Sequence, residues 1–81
     1  MTDKQFGESN SELKVNKNMS PAEAARVALN QEIKAREFYE ECARIMQDPG
    51  ARKMFEFLAA EEKRHEELIR HELDTSFLQE M

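Results

Sequence analysis

Three side chains in this sequence have the types and spacing to hold a metal ion. Glu62 and His65 stand three residues apart in Glu62-Lys63-Arg64-His65, and Glu32 stands upstream of them. On an α-helix, residues i and i+3 lie on one side, so a carboxylate oxygen and an imidazole nitrogen reach a single ion. Oxygen-rich ligation with one imidazole suits iron or manganese, whereas structural zinc prefers cysteine and histidine in a closed tetrahedron.

Such a site needs two helices that bring these residues to one level. The chain has 81 residues, with two Gly, two Pro and no Trp. It is rich in Ala, Glu, Lys, Arg and Met, which favours helix throughout. Its length allows one small domain, and a lone hairpin of this size buries little core. With 40% hydrophobic and 36% charged residues, it has no apolar run near the roughly 18 residues of a membrane span. A net charge of −5 argues against nucleic acid, since phosphate binding needs a basic face. Neither nucleic acid nor a membrane is an expected partner. Cys42 is alone, so no internal disulfide can form. The N-terminus also lacks a basic-then-apolar leader, and a cytoplasmic location is expected.

Residues 1–19 are polar, with scattered Phe6, Leu13 and Val15, and read as a flexible tail with a short helical turn near Glu12–Val15. Ser20-Pro21-Ala22-Glu23 then announces a helix: Ser20 as N-cap, Pro21 at the first position, Glu23 completing a capping box. No breaker follows until Asp48-Pro49-Gly50, so the first helix is expected to run to about Gln47. Asp48 can cap the next helix with Pro49 as its first residue, and so short a connection makes the helices antiparallel neighbours. The second helix is expected to end at about Glu72–Asp74. The helical hairpin thus occupies 20–74, and a bend at Asp74-Thr75-Ser76 leads into a short C-terminal segment, 75–81. The fold class is all-α.

Stepping by three and four from Ala25 gives Ala28, Glu32, Ala35, Tyr39, Cys42 and Met46. This is an apolar stripe holding one carboxylate. In the second helix the same walk gives Ala51, Met54, Leu58, Glu62, His65, Ile69 and Glu72, so Glu62 and His65 are expected to face inward. An uncompensated carboxylate there costs several kcal/mol and requires partners or a metal. Counted from Pro49, Glu32 lies 17 residues before the turn, and Glu62 and His65 lie 13 and 16 after it. In antiparallel helices these offsets place all three in one layer, roughly 20–25 Å from the turn.

Other readings remain open at this level. Glu32 can pair with Arg36 at i+4 on the helix surface, and His65 can be a hydrogen-bonded core histidine. Glu61 flanks the stripe and is a rival ligand. Tyr39 and Cys42 read as core, Tyr39 beside the site. His71, Lys63-Arg64 and Glu66-Glu67 read as solvated surface. Phe38 and Ile45 lie off the stripe, on a flank that a simple bundle would expose, where a second interface could form.

A di-iron carboxylate site in a four-helix bundle uses four carboxylates and two histidines. One chain supplies two and one. A two-fold dimer supplies the full set, with Glu32 from each chain bridging and each Glu62/His65 pair holding one iron. The expected unit is therefore a homodimer, or a higher even-numbered oligomer, that closes two hairpins into a four-helix bundle.

The run Gln31-Glu32-Ile33-Lys34-Ala35-Arg36-Glu37-Phe38-Tyr39, followed by Phe55-x-x-Leu58-Ala59-x-Glu61-Glu62-Lys63-x-His65-Glu66, resembles the first helix pair of a rubrerythrin, in the ferritin-like superfamily. The resemblance covers about residues 22–73. It implies Glu32, Glu62 and His65 as iron ligands and favours Glu62 over Glu61. A full rubrerythrin carries two such helix pairs, often with a Cys-x-x-Cys rubredoxin module; this chain has one pair and one Cys. It is more similar to the encapsulated ferritins, short proteins that build the di-iron centre between subunits. That similarity implies an encapsulin shell as partner and a place within such a nanocompartment, although no cargo peptide is evident in Asp74–Met81.

The expected function is ferroxidase: oxidation of Fe(II) to Fe(III) at a di-iron centre shared between two subunits, serving iron storage or detoxification. Glu32, Glu62 and His65 are its metal ligands. Tyr39 is a candidate catalytic group, as a hydrogen-bonding residue or an electron donor. Two alternatives stand beside it. One is a rubrerythrin-like peroxide reductase with an external electron donor. The other is a non-enzymatic helical oligomerisation module, with the Glu/His layer as a polar interface.

Overall fold

The computed structural model describes residues 15–77. Two helices follow one another, α1 (Pro21–Ile45) and α2 (Pro49–Glu72), and a π-helical turn, Leu73–Phe77, continues α2. They form an all-α helical hairpin, with no strand among the described residues.

Both helix starts carry their own signals. Ser20 Oγ accepts from the Glu23 amide at 3.0 Å, and Glu23 Oε1 accepts from the Ser20 amide at 2.9 Å, so the capping box is complete. Two amides that the helix cannot satisfy internally are bonded in this way. Ser20→Ala should lower folding stability by about 1 kcal/mol, read as a lower urea midpoint with an unchanged slope. At the second start, Asp48 Oδ2 accepts from the Ala51 amide at 2.8 Å, with Pro49 as the first helical residue. Helix α1 stops at Ile45, two residues short of the expected Gln47, because Met46 leaves the helical region (ψ 137°). Arg52 Nη2 then donates to the Met46 carbonyl at 3.0 Å, which ties α2 to the end of α1.

At the other end, the expected bend at Asp74–Ser76 is a π-helical turn that prolongs α2, with Thr75 Oγ1 donating to the His71 carbonyl at 2.8 Å. Residues 15–18 are exposed and turn at Lys17–Asn18. The expected tail over residues 1–14 and the last residues of the C-terminal segment lie outside the described residues. No helix of the described chain is long and apolar enough to cross a membrane.

The seam between the helices differs from the expected stripe. Its buried residues are Ala22 in α1, Ala59 and Glu66 in α2, and Leu73 just beyond. Ala59, Glu66 and Leu73 are the residues that immediately follow Leu58, His65 and Glu72 of the stripe. One residue is about 100° of rotation. The stripe that carries the cluster thus lies beside the seam, on the side that is open in the single chain, and Ala28, Met54 and His65 on it are exposed. Glu66, expected on the surface, is found 5% exposed in this seam, where Arg36 of α1 bonds it.

Candidate metal centre

Glu32 reaches the site from the middle of α1, Glu62 and His65 from the middle of α2. His65 Nδ1 lies 3.2 Å from Glu32 Oε1 and 3.5 Å from Glu62 Oε1. One ligand atom from each of the three residues lies within 4.8 Å of the others. The equal-level offsets read from Pro49 are therefore realised in three dimensions. Side-chain exposure is 27% for Glu32, 19% for Glu62 and 51% for His65, so the cluster sits on the open side of the hairpin, beside the seam.

The donor set fits a cation. Two ligands bound at about 2.1 Å in adjacent positions of an octahedron are about 3 Å apart, close to the two separations from Nδ1. Two carboxylates held together also repel unless a positive charge lies between them. Among the described residues no Lys or Arg supplies it. Arg36 turns from Glu32 to Glu66 and to Glu40, the latter at 3.0 Å, so the expected alternative of a Glu32–Arg36 surface pair is not formed. Arg64 holds Glu61 at 3.0 Å, which removes Glu61, the rival ligand, from the cluster. Arg44 bonds Glu41 and holds its carboxyl below the usual range. The hydrogen bond that Arg36 donates to Glu66, then the one it donates to Glu40, raises its pKa above an already high ordinary value. Glu32 and Glu62 are left facing an imidazole.

Tyr39 is half-buried two turns along α1, stacked on Phe55 of α2 at 6.1 Å between centroids and edge-on to Phe38 at 5.7 Å. No hydrogen bond joins it to the three residues. Cys42 is half-buried one turn further, and His71 is exposed as expected. The residue missed from the sequence is Glu66. Its signal was present in its spacing of seven from Ala59 and Leu73, but a charged residue in a seam is legible only with its partner.

Large apolar side chains are exposed on both helices, Met54 on the stripe of the cluster and the others off it. Met54 is 50% exposed, Phe57 62% and Leu68 60% on α2, and Phe38 and Ile45 are exposed on α1.

Comparison with known proteins adds one finding. A family model described as Rubrerythrin matches residues 2–73, nearly the whole chain. Searches of curated proteins and of solved structures gave no match. The family implies iron binding of the di-iron carboxylate kind, and the carboxylate–imidazole cluster is the place in this chain where such ligands converge. By this match the chain belongs to the rubrerythrin family.

Proposed function

We propose that this protein is a ferroxidase whose active unit is a pair of hairpins, with Glu32, Glu62 and His65 of each binding Fe(II) as substrate. The observation that carries the reading is the convergence of two carboxylates and one imidazole, within 4.8 Å, with no basic side chain of the described residues between the carboxylates. Three donors leave a metal ion open on one side. A second copy docked on that side supplies three more, the full complement of four carboxylates and two histidines. The same docking covers Met54 and the half-buried Leu58 and Ile69 around the cluster.

The chain's own groups have definite parts in this reading. The carboxylates neutralise the charge of two cations and keep them together. His65 presents Nδ1 to them, and this orientation fixes which ring nitrogen must be free of its proton for binding. Each pair of Fe(II) ions yields two electrons, which with two protons take O2 to hydrogen peroxide. Tyr39, stacked on Phe55 two turns away, supplies no electron to this balance and helps to hold α1 against α2. Since a dimer encloses no mineral-sized cavity, Fe(III) passes to a separate compartment, and an encapsulin shell is one such compartment.

Anaerobic Fe(II) titration followed by oxygen tests the proposal. The expected result is a break near one Fe(II) per chain, then a rapid rise in near-ultraviolet absorbance on adding O2. A rise with hydrogen peroxide and none with O2 would favour peroxide reduction. Absence of a break would leave the Glu/His layer as a polar interface only.

A further inference from the structure

We infer that the Arg36–Glu66 ion pair is a positioning device for this centre: it fixes the axial register of α1 against α2, and with it the placing of Glu32 against Glu62 and His65. The inference rests on the metal-binding reading above. Arg36 follows Glu32 by one turn on α1. Glu66 follows Glu62 by one turn on α2 and stands directly after His65. Counted from Pro49, Arg36 is 13 residues before the turn, level with Glu62, and Glu66 is 17 after it, level with Glu32. The pair therefore crosses the seam diagonally within the same layer as the cluster, from the adjacent face of each helix.

The short turn and the Arg52–Met46 bond set that register coarsely, and apart from the Tyr39–Phe55 stack the seam does little to refine it. Its other buried residues are Ala22 and Ala59, which are small, and Leu73 near the open end. Sliding one helix by a residue, about 1.5 Å, leaves alanine against a similar surface. The same slide would pull Arg36 from Glu66, and a buried carboxylate separated from its partner is strongly disfavoured. It would also open the 3.2 Å separation between His65 Nδ1 and Glu32 Oε1. Glu66 is held from a second direction by Arg70 at 4.0 Å, and Arg36 by Glu40, so both partners are themselves aimed. A single buried polar contact that sets the register of packed helices is the best-supported use of such a pair.

A stabilising role and a positioning role separate experimentally, because an apolar replacement of a buried ion pair can keep or raise stability. The double variant Arg36→Leu/Glu66→Leu should retain the wild-type urea midpoint or exceed it. Its Co(II) affinity, read from visible absorbance, should fall about tenfold or more, and its nuclear Overhauser contacts between α1 and α2 should shift or multiply. The swap Arg36→Glu/Glu66→Arg should recover affinity and a single contact set. Wild-type Co(II) affinity in a stable Leu/Leu protein would overturn the inference. If Leu/Leu does not fold, the swap decides: stability recovered without affinity overturns it. If the wild-type protein binds no Co(II), the metal reading fails by itself. The interhelical contacts then decide the register question, and an unchanged contact set in Leu/Leu counts against it.

Discussion

Glu32→Ala and His65→Ala should each abolish rapid Fe(II) oxidation, leaving only the rate of buffer. Each substitution removes one donor per chain and hence two of the six in the proposed paired site. Loss of a residue that merely orients a ligand costs about 10–100-fold in metal affinity; loss of the ligand itself should cost at least about a hundredfold, and the break near one Fe(II) per chain should vanish. Glu61→Ala is the control. Glu61 neighbours Glu62 but is held by Arg64 at 3.0 Å, so its removal should leave stoichiometry and rate unchanged. Stability adds an independent sign. Glu32 and Glu62 approach one imidazole with no basic side chain of the described residues between them, so in chelator Glu32→Ala should be at least as stable as wild type. A variant that loses activity while holding its metal-free urea midpoint has lost a site and kept its fold. Undiminished oxidation in Glu32→Ala, Glu62→Ala and His65→Ala together would sink the assignment.

The second large effect is expected at a distance from the ligands. Met54 is 50% exposed in the single chain, so Met54→Lys should leave the hairpin itself nearly untouched. In the proposed pairing the same side chain is covered, and a two-fold interface repeats every substitution twice. Burying an unpaired ammonium costs several kcal/mol. Sedimentation should therefore show a monomer at concentrations where wild type is paired, and oxidation should be lost with Glu32, Glu62 and His65 intact. A Met54→Lys protein that stays paired and active would place the interface on another face. A monomer with full activity would show that one hairpin suffices.

Much of this molecule was legible in its residues, and the illegible part has a specific cause. Ser20-Pro21-Ala22-Glu23 and Asp48-Pro49 are local signals whose hydrogen bonds close within three residues, so both helix starts and the antiparallel hairpin follow from the chain alone. The layer of Glu32, Glu62 and His65 follows too, because distance along two helices from one turn is fixed by the helical rise. Rotation about each axis is not fixed in that way. Ala28 and Ala22 are equally apolar, and Leu58 and Ala59 are neighbours that differ in size more than in kind. Arg36 has Glu32 and Glu40 each one turn away on its own helix, yet it pairs with Glu40 and crosses the seam to Glu66. That contact spans thirty residues and leaves no periodic trace. The burial of Glu66 in the seam was illegible for that reason.

The short link between α1 and α2 has a kinetic consequence. Glu32 and His65 are 33 residues apart, yet every contact between them and Pro49 lies inside one hairpin that can zip outward from the capped Asp48. Chains with such nested contacts fold fast, in microseconds to milliseconds, whereas docking of subunits takes milliseconds to minutes and depends on concentration. On dilution from denaturant, the three ligands of one chain should meet early, before any second chain arrives. A recovery of oxidation that lags helix formation and quickens with protein concentration would time the encounter of two finished halves.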